Sequence, residues 1–397
     1  MKNKSIRSLC VQELKENRTT FPHQLPIYAT SSFVFENLED GIDIFSGKET
    51  GHVYSRYANP TVDTVARKIA ALETFGTSKE GYAYLTSSGM SAISSIGITL
   101  LQSGDYILTQ GNLYGGTTEL FQKIFARMGV KTIFTDLNDI DNLEKIIQSN
   151  SKIKMIYFET PANPTLACVD LEKMGQLGKK YNIKTVIDNT FLTPYLQQPF
   201  TYDIDFIIHS TTKFLNGHGN SIAGVVVGWR EEWRKKLWEV IKLAGTNCNP
   251  WDAWLINNGL KTLALRMDKH SENATRLANY LEKHPRINLV NYLSLSSHPH
   301  HAIATQQMRN FGGMLSFEVD GGQSQAIKFI NKLQLAKMAP TLGDVDTLVL
   351  HPATSSHLNI DRKMREENGI TDGLVRFSVG IEDADDIIND VQQALEE

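Results

Sequence analysis

The sequence predicts an α/β protein, with a mainly parallel sheet in a large domain followed by a smaller α+β carboxy-terminal domain. Three observations carry that expectation. From Thr61 to the neighbourhood of Lys213, short apolar runs alternate with stretches of helical period, the pattern of a parallel sheet covered by helices on both faces. Two of those runs, KTVID ending at Asp188 and FII ending at Ile208, break off into polar, reactive residues, as strands do where an open α/β sheet binds its ligand. Beyond Trp233 the pattern turns mostly helical, and an amphipathic stretch over 263–284 leads into a second group of strand candidates.

Residues 1–60 make a poor independent unit. The amino-terminal MKNKSIRSLCVQELKENR is polar and helical in character, 27–35 (IYATSSFVF) reads as extended, and Pro60 closes the segment. Between them, YSRYANP places Arg56 in a loop between Tyr54 and Tyr57. An arm without a core is expected to pack on another part of the protein or on another subunit, and Arg56 is either a bidentate phosphate ligand or an exposed loop arginine. Three units follow from the pattern: the arm over 1–60, a ligand-binding domain over 61–256 and a carboxy-terminal domain over 257–397.

In the second unit, Val62, Val65, Ile69 and Leu72 share one helical face. A strand over 83–87 then runs into Ser88-Gly89-Met90-Ser91, a small-residue turn opening a helix, where free backbone N–H groups attract phosphate; any βα junction has a similar composition. A strand at Tyr106–Thr109 precedes the turn GNLYGG, in which Tyr114 can stack on a planar ring. A helix over 117–128, a strand at Lys131–Phe134, a helix over 143–148 and a strand over 155–159 continue the alternation. The proline-stiffened TPANPT loop and a helix at Leu171–Tyr181 lead to the strand ending in Asp188. In the third unit, strands are expected over 313–319, 346–350 and 375–379, with helices over 325–333 and at Ala384–Leu395.

The chemistry gathers at two strand ends. Lys213 follows a buried-type strand, among Ser210, Thr211 and Thr212 and before a glycine-rich turn. A lysine amine attacks a carbonyl only when neutral, and desolvation or a nearby cation moves it from its usual value of about 10.4 towards that state. The Ser210 and Thr212 hydroxyls suit phosphate oxygens, although a lysine at a strand–loop junction is as often idle at the surface. Asp188 precedes Lys213 by 25 positions, about one strand-to-strand step of an α/β sheet. A cofactor that bonds covalently to a lysine and needs a carboxylate on its ring nitrogen is pyridoxal phosphate; a helix cap or turn is the plain alternative for Asp188. Arg376 sits inside the strand-like LVRFSVG, and a buried arginine there requires an anion. A substrate carboxylate serves, as do Glu382 or Asp383 as structural partners.

Composition narrows the classes. The chain has 397 residues, 41% hydrophobic and 21% charged, with a net charge of −4 and no long basic run, so no nucleic-acid partner is expected. Cys10, Cys168 and Cys248 are scattered, which fits free thiols in a reducing cytoplasm. No signal-peptide core and no run of membrane-spanning length stands out. The histidines at 298, 300 and 301, at 351 and 357, and at 218 match no metal spacing, and loop or core roles are expected for them.

The ordered set SRYANPT, SSGMSAI, LYGGT, ETPANPT, VIDNTF, HSTTKFLNGHG, LSSHP and GITDGLVRFSVGIED resembles the Cys/Met-metabolism family of pyridoxal-phosphate enzymes, from about Tyr28 to the last helix. The resemblance implies fold-type I, like aspartate aminotransferase, and homotetramers in which pairs of subunits share active sites. It implies Lys213 as the covalent anchor of the cofactor, Asp188 on the pyridine nitrogen, and Gly89 and Met90 as phosphate donors with Ser210 and Thr212. Tyr54 and Arg56 match residues that reach the phosphate from a neighbouring subunit, and Tyr114 the ring-stacking tyrosine and acid–base partner. Arg376 matches the clamp for a substrate carboxylate, with Asn163 and Thr341 nearby; most relatives carry serine at the latter position.

Three departures bear on the reaction. Pro340 stands where relatives that handle cystathionine often have glutamate, and Gly116 where methionine γ-lyases usually have cysteine. The closing GITDGLVRFSVGIEDADDIIND looks like methionine γ-lyases, whereas HPATSSH looks more like O-acylhomoserine sulfhydrylases. The expectation is γ-elimination on methionine or a related sulfur amino acid. The alternatives are γ-replacement on O-acetyl- or O-succinylhomoserine, and a non-catalytic binding protein of the same fold.

Overall fold

Seven strands make the first sheet: β1 (Tyr82–Thr86), β2 (Tyr106–Thr109), β3 (Lys131–Phe134), β4 (Ile153–Glu159), β5 (Lys184–Asp188), β6 (Phe206–His209) and β7 (Gly224–Gly228). The computed structural model describes residues 4–12, 22–356, 358 and 362–396, so His357 and much of the amino-terminal segment read above lie outside the described residues. Across the sheet the order is β1-β7-β6-β5-β4-β2-β3. The run from β6 to β3 is parallel, and β7 is antiparallel to both β1 and β6.

The central strands are buried on both faces, which is why they read as unbroken apolar runs. All four residues of β6 are fully buried, as are Thr185, Val186 and Ile187 of β5. Side chains alternate between two apolar layers: Ile187 and Ile207 join one, while Val186, Phe206 and Ile208 join the other. The helix Pro60–Glu73 lays Val62, Val65, Ile69 and Leu72 into the first layer, and Asn59 caps it by accepting the Thr61 N–H. Direct pairing of β5 with β6 sets Asp188 opposite Ile208, so the aspartate and the turn bearing Lys213 share the carboxyl edge.

Strand β7 was not among the expected elements. Its GVVVG run is bounded by glycines that read as a continuation of the preceding turn, but both are forced by close approach. A β-carbon at Gly224 would stand 2.2 Å from the Ser88 carbonyl oxygen, and one at Gly228 2.7 Å from the Tyr82 ring.

The second sheet contains β8 (Ile287–Asn291), β9 (Met314–Val319), β10 (Lys337–Met338), β11 (Leu348–Leu350) and β12 (Leu374–Ser378), ordered β10-β11-β12-β9-β8. It is antiparallel except between β10 and β11. β8 escaped the reading because its first residues are partly exposed and break the alternation, and β10 is only two residues long. Helices Gly322–Lys332 and Ala384–Leu395 formed as expected. The long connecting helix is Leu263–Leu281, and the helix expected over 117–128 is split into Gly115–Glu119 and a π-helical Leu120–Phe125. Residues of the arm stay extended around the Ser32–Tyr54 bridge, with an unforeseen helix at Leu38–Ser46 capped by Asn37. Among the described residues no helix is long and apolar enough to cross a membrane.

The connecting helix braces the reactive turn. Arg266 donates to the carbonyls of Phe214 at 2.7 Å and Gly259 at 2.8 Å. One turn on, His270 gives its Nδ1–H to the Val379 carbonyl at 2.6 Å and stands edge-on to Phe214. Burial pushes the His270 imidazole down to about 4. A histidine that is harder to protonate in the folded state than its usual value of about 6.5 contributes stability above that value and loses it as pH falls towards 4. Urea-unfolding midpoints are therefore expected to drop between pH 6.5 and pH 4. His270→Asn, whose amide can replace the Nδ1 donor but does not titrate, is expected to show a smaller drop.

Candidate active site

The turn after β6 is built by its own backbone. The Lys213 N–H donates to the Ser210 carbonyl at 3.2 Å, and the Gly217 N–H to the Lys213 carbonyl at 2.8 Å. The Thr212 hydroxyl donates to the Ala223 carbonyl and accepts the Ala223 N–H, both at 3.1 Å; the Ser210 hydroxyl, like the buried Thr211 hydroxyl, has no protein partner among the described residues. The Lys213 side chain reaches across to the second sheet, where Nζ donates to Thr341 Oγ1 at 2.8 Å. That loop is pressed against the lysine's own backbone. Gly343 has φ +86°, and a β-carbon there would stand 2.7 Å from the Phe214 nitrogen, so only glycine suits the position. Burial, and then the charge of Arg376, lower the Lys213 pKa against the opposing pull of Asp344.

Asp188 lies on the adjacent strand end, in register with Glu159 of β4 and Ile208 of β6. Its Oδ1 accepts the Thr190 N–H at 2.9 Å, and the Thr190 hydroxyl in turn accepts the Ser210 N–H at 2.8 Å. Burial raises the Asp188 pKa, opposed by the Thr190 hydrogen bonds and by His209. Among the described residues no lysine or arginine pairs with this carboxylate. Behind it, His209 and Glu73 form a fully buried hydrogen-bonded pair.

Gly89 and Met90 open the helix Gly89–Leu100, whose cap is Ser88. Their N–H groups belong to the first turn, where an α-helix leaves donors unpaired. Gly89 touches Ser210 closely enough that a β-carbon would stand 2.8 Å from that residue's own. Tyr114 begins the next helix; its N–H donates to Glu159 at 3.0 Å (Oε1) and 3.1 Å (Oε2), and its ring is 47% exposed. The ring leans over Gly116, where a β-carbon would stand 2.6 Å from Cε1 and 3.3 Å from Met90 Sδ. Any side chain at position 116 would thus displace the ring.

Arg376, on β12, is buried. It donates to Asn163 Oδ1 at 3.3 Å and to the Thr341 carbonyl at 3.0 Å, while its Nε has no partner. Burial lowers its pKa to about 10, which still leaves a cation at neutral pH. Glu382 is engaged by Thr347 and Asp383 caps the last helix, so neither neutralises it.

These contacts close into a circuit. Lys213 leads through Ser210 and Thr190 to Asp188, then to Glu159, Tyr114, Met90 and Gly89, and so back to Ser210; Thr341, Arg376 and Asn163 hang from the lysine. Tyr54 and Arg56 stand apart. Arg56 lies over the rings of Tyr54 and Tyr57 and donates to the Lys242 carbonyl, and no hydrogen bond or ion pair joins either residue to Lys213, Asp188 or Gly89 among the described residues. Sequence reasoning missed Glu159, Thr190 and Asp344. The first was visible as the opening residue of ETPANPT, but its target, a backbone N–H far along the chain, was not.

The donor set fits pyridoxal phosphate. A desolvated amine, a buried carboxylate without a cation, an exposed tyrosine ring and unpaired N–H groups beside a free hydroxyl match the cofactor's aldehyde, ring nitrogen, ring face and phosphate. The comparisons agree. The profile of the Cys/Met metabolism PLP-dependent enzyme family matches residues 7–396. The chain is 42% identical over 375 residues to an L-methionine gamma-lyase of Fusobacterium nucleatum subsp. polymorphum, covering 94% of this chain and 93% of that one. It is 39% identical over 373 residues to an O-succinylhomoserine sulfhydrylase of Pseudomonas aeruginosa, covering 94% and 91%. The cystathionine gamma synthase of Xanthomonas oryzae pv. oryzae superposes with a TM-score of 0.91 at 34% identity, over 99% of this chain and 98% of that one. The protein is a member of the Cys/Met metabolism family of PLP-dependent enzymes.

Proposed function

We propose that this enzyme eliminates the γ-substituent of methionine or a related sulfur amino acid, consuming one water and giving a 2-oxo acid, ammonia and a thiol. The observation that carries the reading is the buried Arg376 cation, without a carboxylate partner among the described residues, joined through Thr341 to the Lys213 amine. A substrate carboxylate on Arg376, oriented by Asn163 and Thr341, places the substrate's α-carbon next to Lys213. When bound, pyridoxal phosphate supplies the electron sink for the C–H and C–S bonds that break.

The residues divide the rest of the work. The Gly89 and Met90 N–H groups and the Ser210 hydroxyl would hold the phosphate, and Asp188 would keep the ring nitrogen protonated; the Thr212 hydroxyl, expected among the phosphate donors, has its hydrogen committed to the Ala223 carbonyl. Lys213 would anchor the cofactor, and its amine, when free, would accept the substrate's α-proton; its desolvation favours the neutral base that this requires. Tyr114, on the open side, protonates the departing sulfur. Tyr54 and Arg56 reach the phosphate of a neighbouring subunit in a homotetramer built from dimers, with the arm over 1–60 making that contact and the domains dividing near 256. Three buried, unpaired cysteines suit a cytoplasmic location.

A second reading, γ-replacement on O-acetyl- or O-succinylhomoserine, is favoured by the HPATSSH segment and by the sulfhydrylase relative. Here the thiol enters rather than leaves, using the same lysine, aspartate and arginine.

Lys213→Ala is expected to remove the visible absorbance of the lysine-bound cofactor and the activity together; a protein that keeps both would sink the assignment. Arg376→Ala is expected to lower kcat/KM by about a hundredfold or more, as loss of a buried charge partner does, while leaving cofactor absorbance in place. The reaction itself is decided by incubating the enzyme with methionine, homocysteine, cystathionine or cysteine alone, and in parallel with O-acylhomoserines plus cysteine or sulfide. Oxo acid and thiol are expected from methionine alone. Thioether or homocysteine formed only from the acylhomoserines establishes replacement instead, and stoichiometric amino-group exchange without thiol release establishes transamination.

A further inference from the structure

Glu159 has no part in the chemistry above, yet both of its ends are tied into the site. Its backbone N–H donates to Gln110 Oε1 at 3.2 Å and its carbonyl accepts from Gln110 Nε2 at 3.1 Å. That clasp fastens the end of β4 to the residue from which the Tyr114 turn departs. The carboxyl then takes the Tyr114 N–H on both oxygens, at 3.0 and 3.1 Å, and so fixes the direction of the peptide whose Cα carries the ring. The ring has little else to hold it, being 47% exposed and resting on a glycine.

Glu159 also stands in register with Asp188 on the neighbouring parallel strand, so both carboxyls leave the sheet on the same face. Two carboxylates in one buried place resist being charged together. Burial and the Asp188 charge raise the Glu159 carboxyl above its ordinary range, and the Tyr114 N–H, by donating to its oxygens, pulls it back towards the carboxylate.

We propose that Glu159 is a positioning residue: by holding the Tyr114 N–H with both carboxyl oxygens, it sets the height and tilt of the tyrosine ring over the cofactor. The inference rests on the reading of Tyr114 as the residue that covers the cofactor ring. It assigns Glu159 no contact with substrate.

Glu159→Gln tests it in the holoenzyme. The amide keeps the volume but sets an NH2 donor against the Tyr114 N–H at one of the two contacts. The expected result is a visible circular-dichroism band of the bound cofactor reduced by about half or more. A kcat about tenfold lower should accompany it, with KM and cofactor affinity within about threefold, as a displaced catalytic group would give. In a Tyr114→Phe background the same change is expected to lower kcat by about twofold or less, because the two residues act through one another. An unchanged band with kcat within about twofold, or the same fractional loss in both backgrounds, overturns the proposal. Gln110→Leu, which removes the clasp behind the turn, is a second probe that leaves the carboxyl in place. It is expected to weaken the same band, and an unchanged band counts against the proposal even where Glu159→Gln yields no folded protein. Tyr114→Ala separates this inference from its premise. If that variant leaves band and kcat untouched, the reading of Tyr114 fails; if it alters both while Glu159→Gln alters neither, only the role of Glu159 fails.

Discussion

A cation that is buried, hydrogen-bonded and still without a counter-charge is the feature on which this site depends. Arg376 keeps its positive charge at neutral pH, and the two neighbours that could have neutralised it are committed elsewhere. Its field helps to hold Lys213 towards the neutral form. Asp188 is the mirror case, a deep carboxylate whose partners are hydrogen-bond donors and not a lysine or arginine. Charges left in this condition cost folding energy, and the roles proposed above would give each of them its counter-charge.

The scaffold holds these groups to tenths of an ångström through contacts that tolerate no side chain. Gly89 against Ser210, Gly224 against Ser88 and Gly343 against Phe214 are all approaches that a β-carbon would break. They join four separate stretches, the start of the helix Gly89–Leu100, the lysine turn, β7 and the loop bearing Thr341. The lysine accordingly bridges the two units, its backbone in the turn after β6 and its side-chain partner Thr341 in the loop between β10 and β11.

Much of this was legible in the sequence because the signals were local. The strands at Tyr106–Thr109 and Lys131–Phe134, and the helices Leu171–Tyr181 and Ala384–Leu395, have the predicted bounds, each being a clean run of one period. Asp188 and Lys213 were legible for the same reason, since a carboxylate or amine directly after a buried strand has a limited set of uses. What escaped was set by partners distant in the chain. β7 is glycine-bounded and antiparallel within a parallel series, so only its pairing with β1 and β6 gives it away. Glu159 looks like any acid at a strand end until the Tyr114 N–H is placed on it. Arg376 was found, but whether Glu382 would neutralise it depended on Thr347, which no spacing rule identifies.

The position of β7 also sets the order in which the molecule can be assembled. β1 carries the phosphate-side turn and β6 carries the lysine, yet the two strands never touch; β7 lies between them and pairs with both. The register partners Tyr82 and Gly228 are far apart in sequence, and such non-local pairings close late because the loop between them must first be ordered. The parallel strands β2 to β6 can associate as they are synthesised, but the cradle that spans β1 and β6 has no shape until the GVVVG segment slots in. Closure of the sheet through β7 is therefore what brings the Gly89 turn against the Lys213 turn.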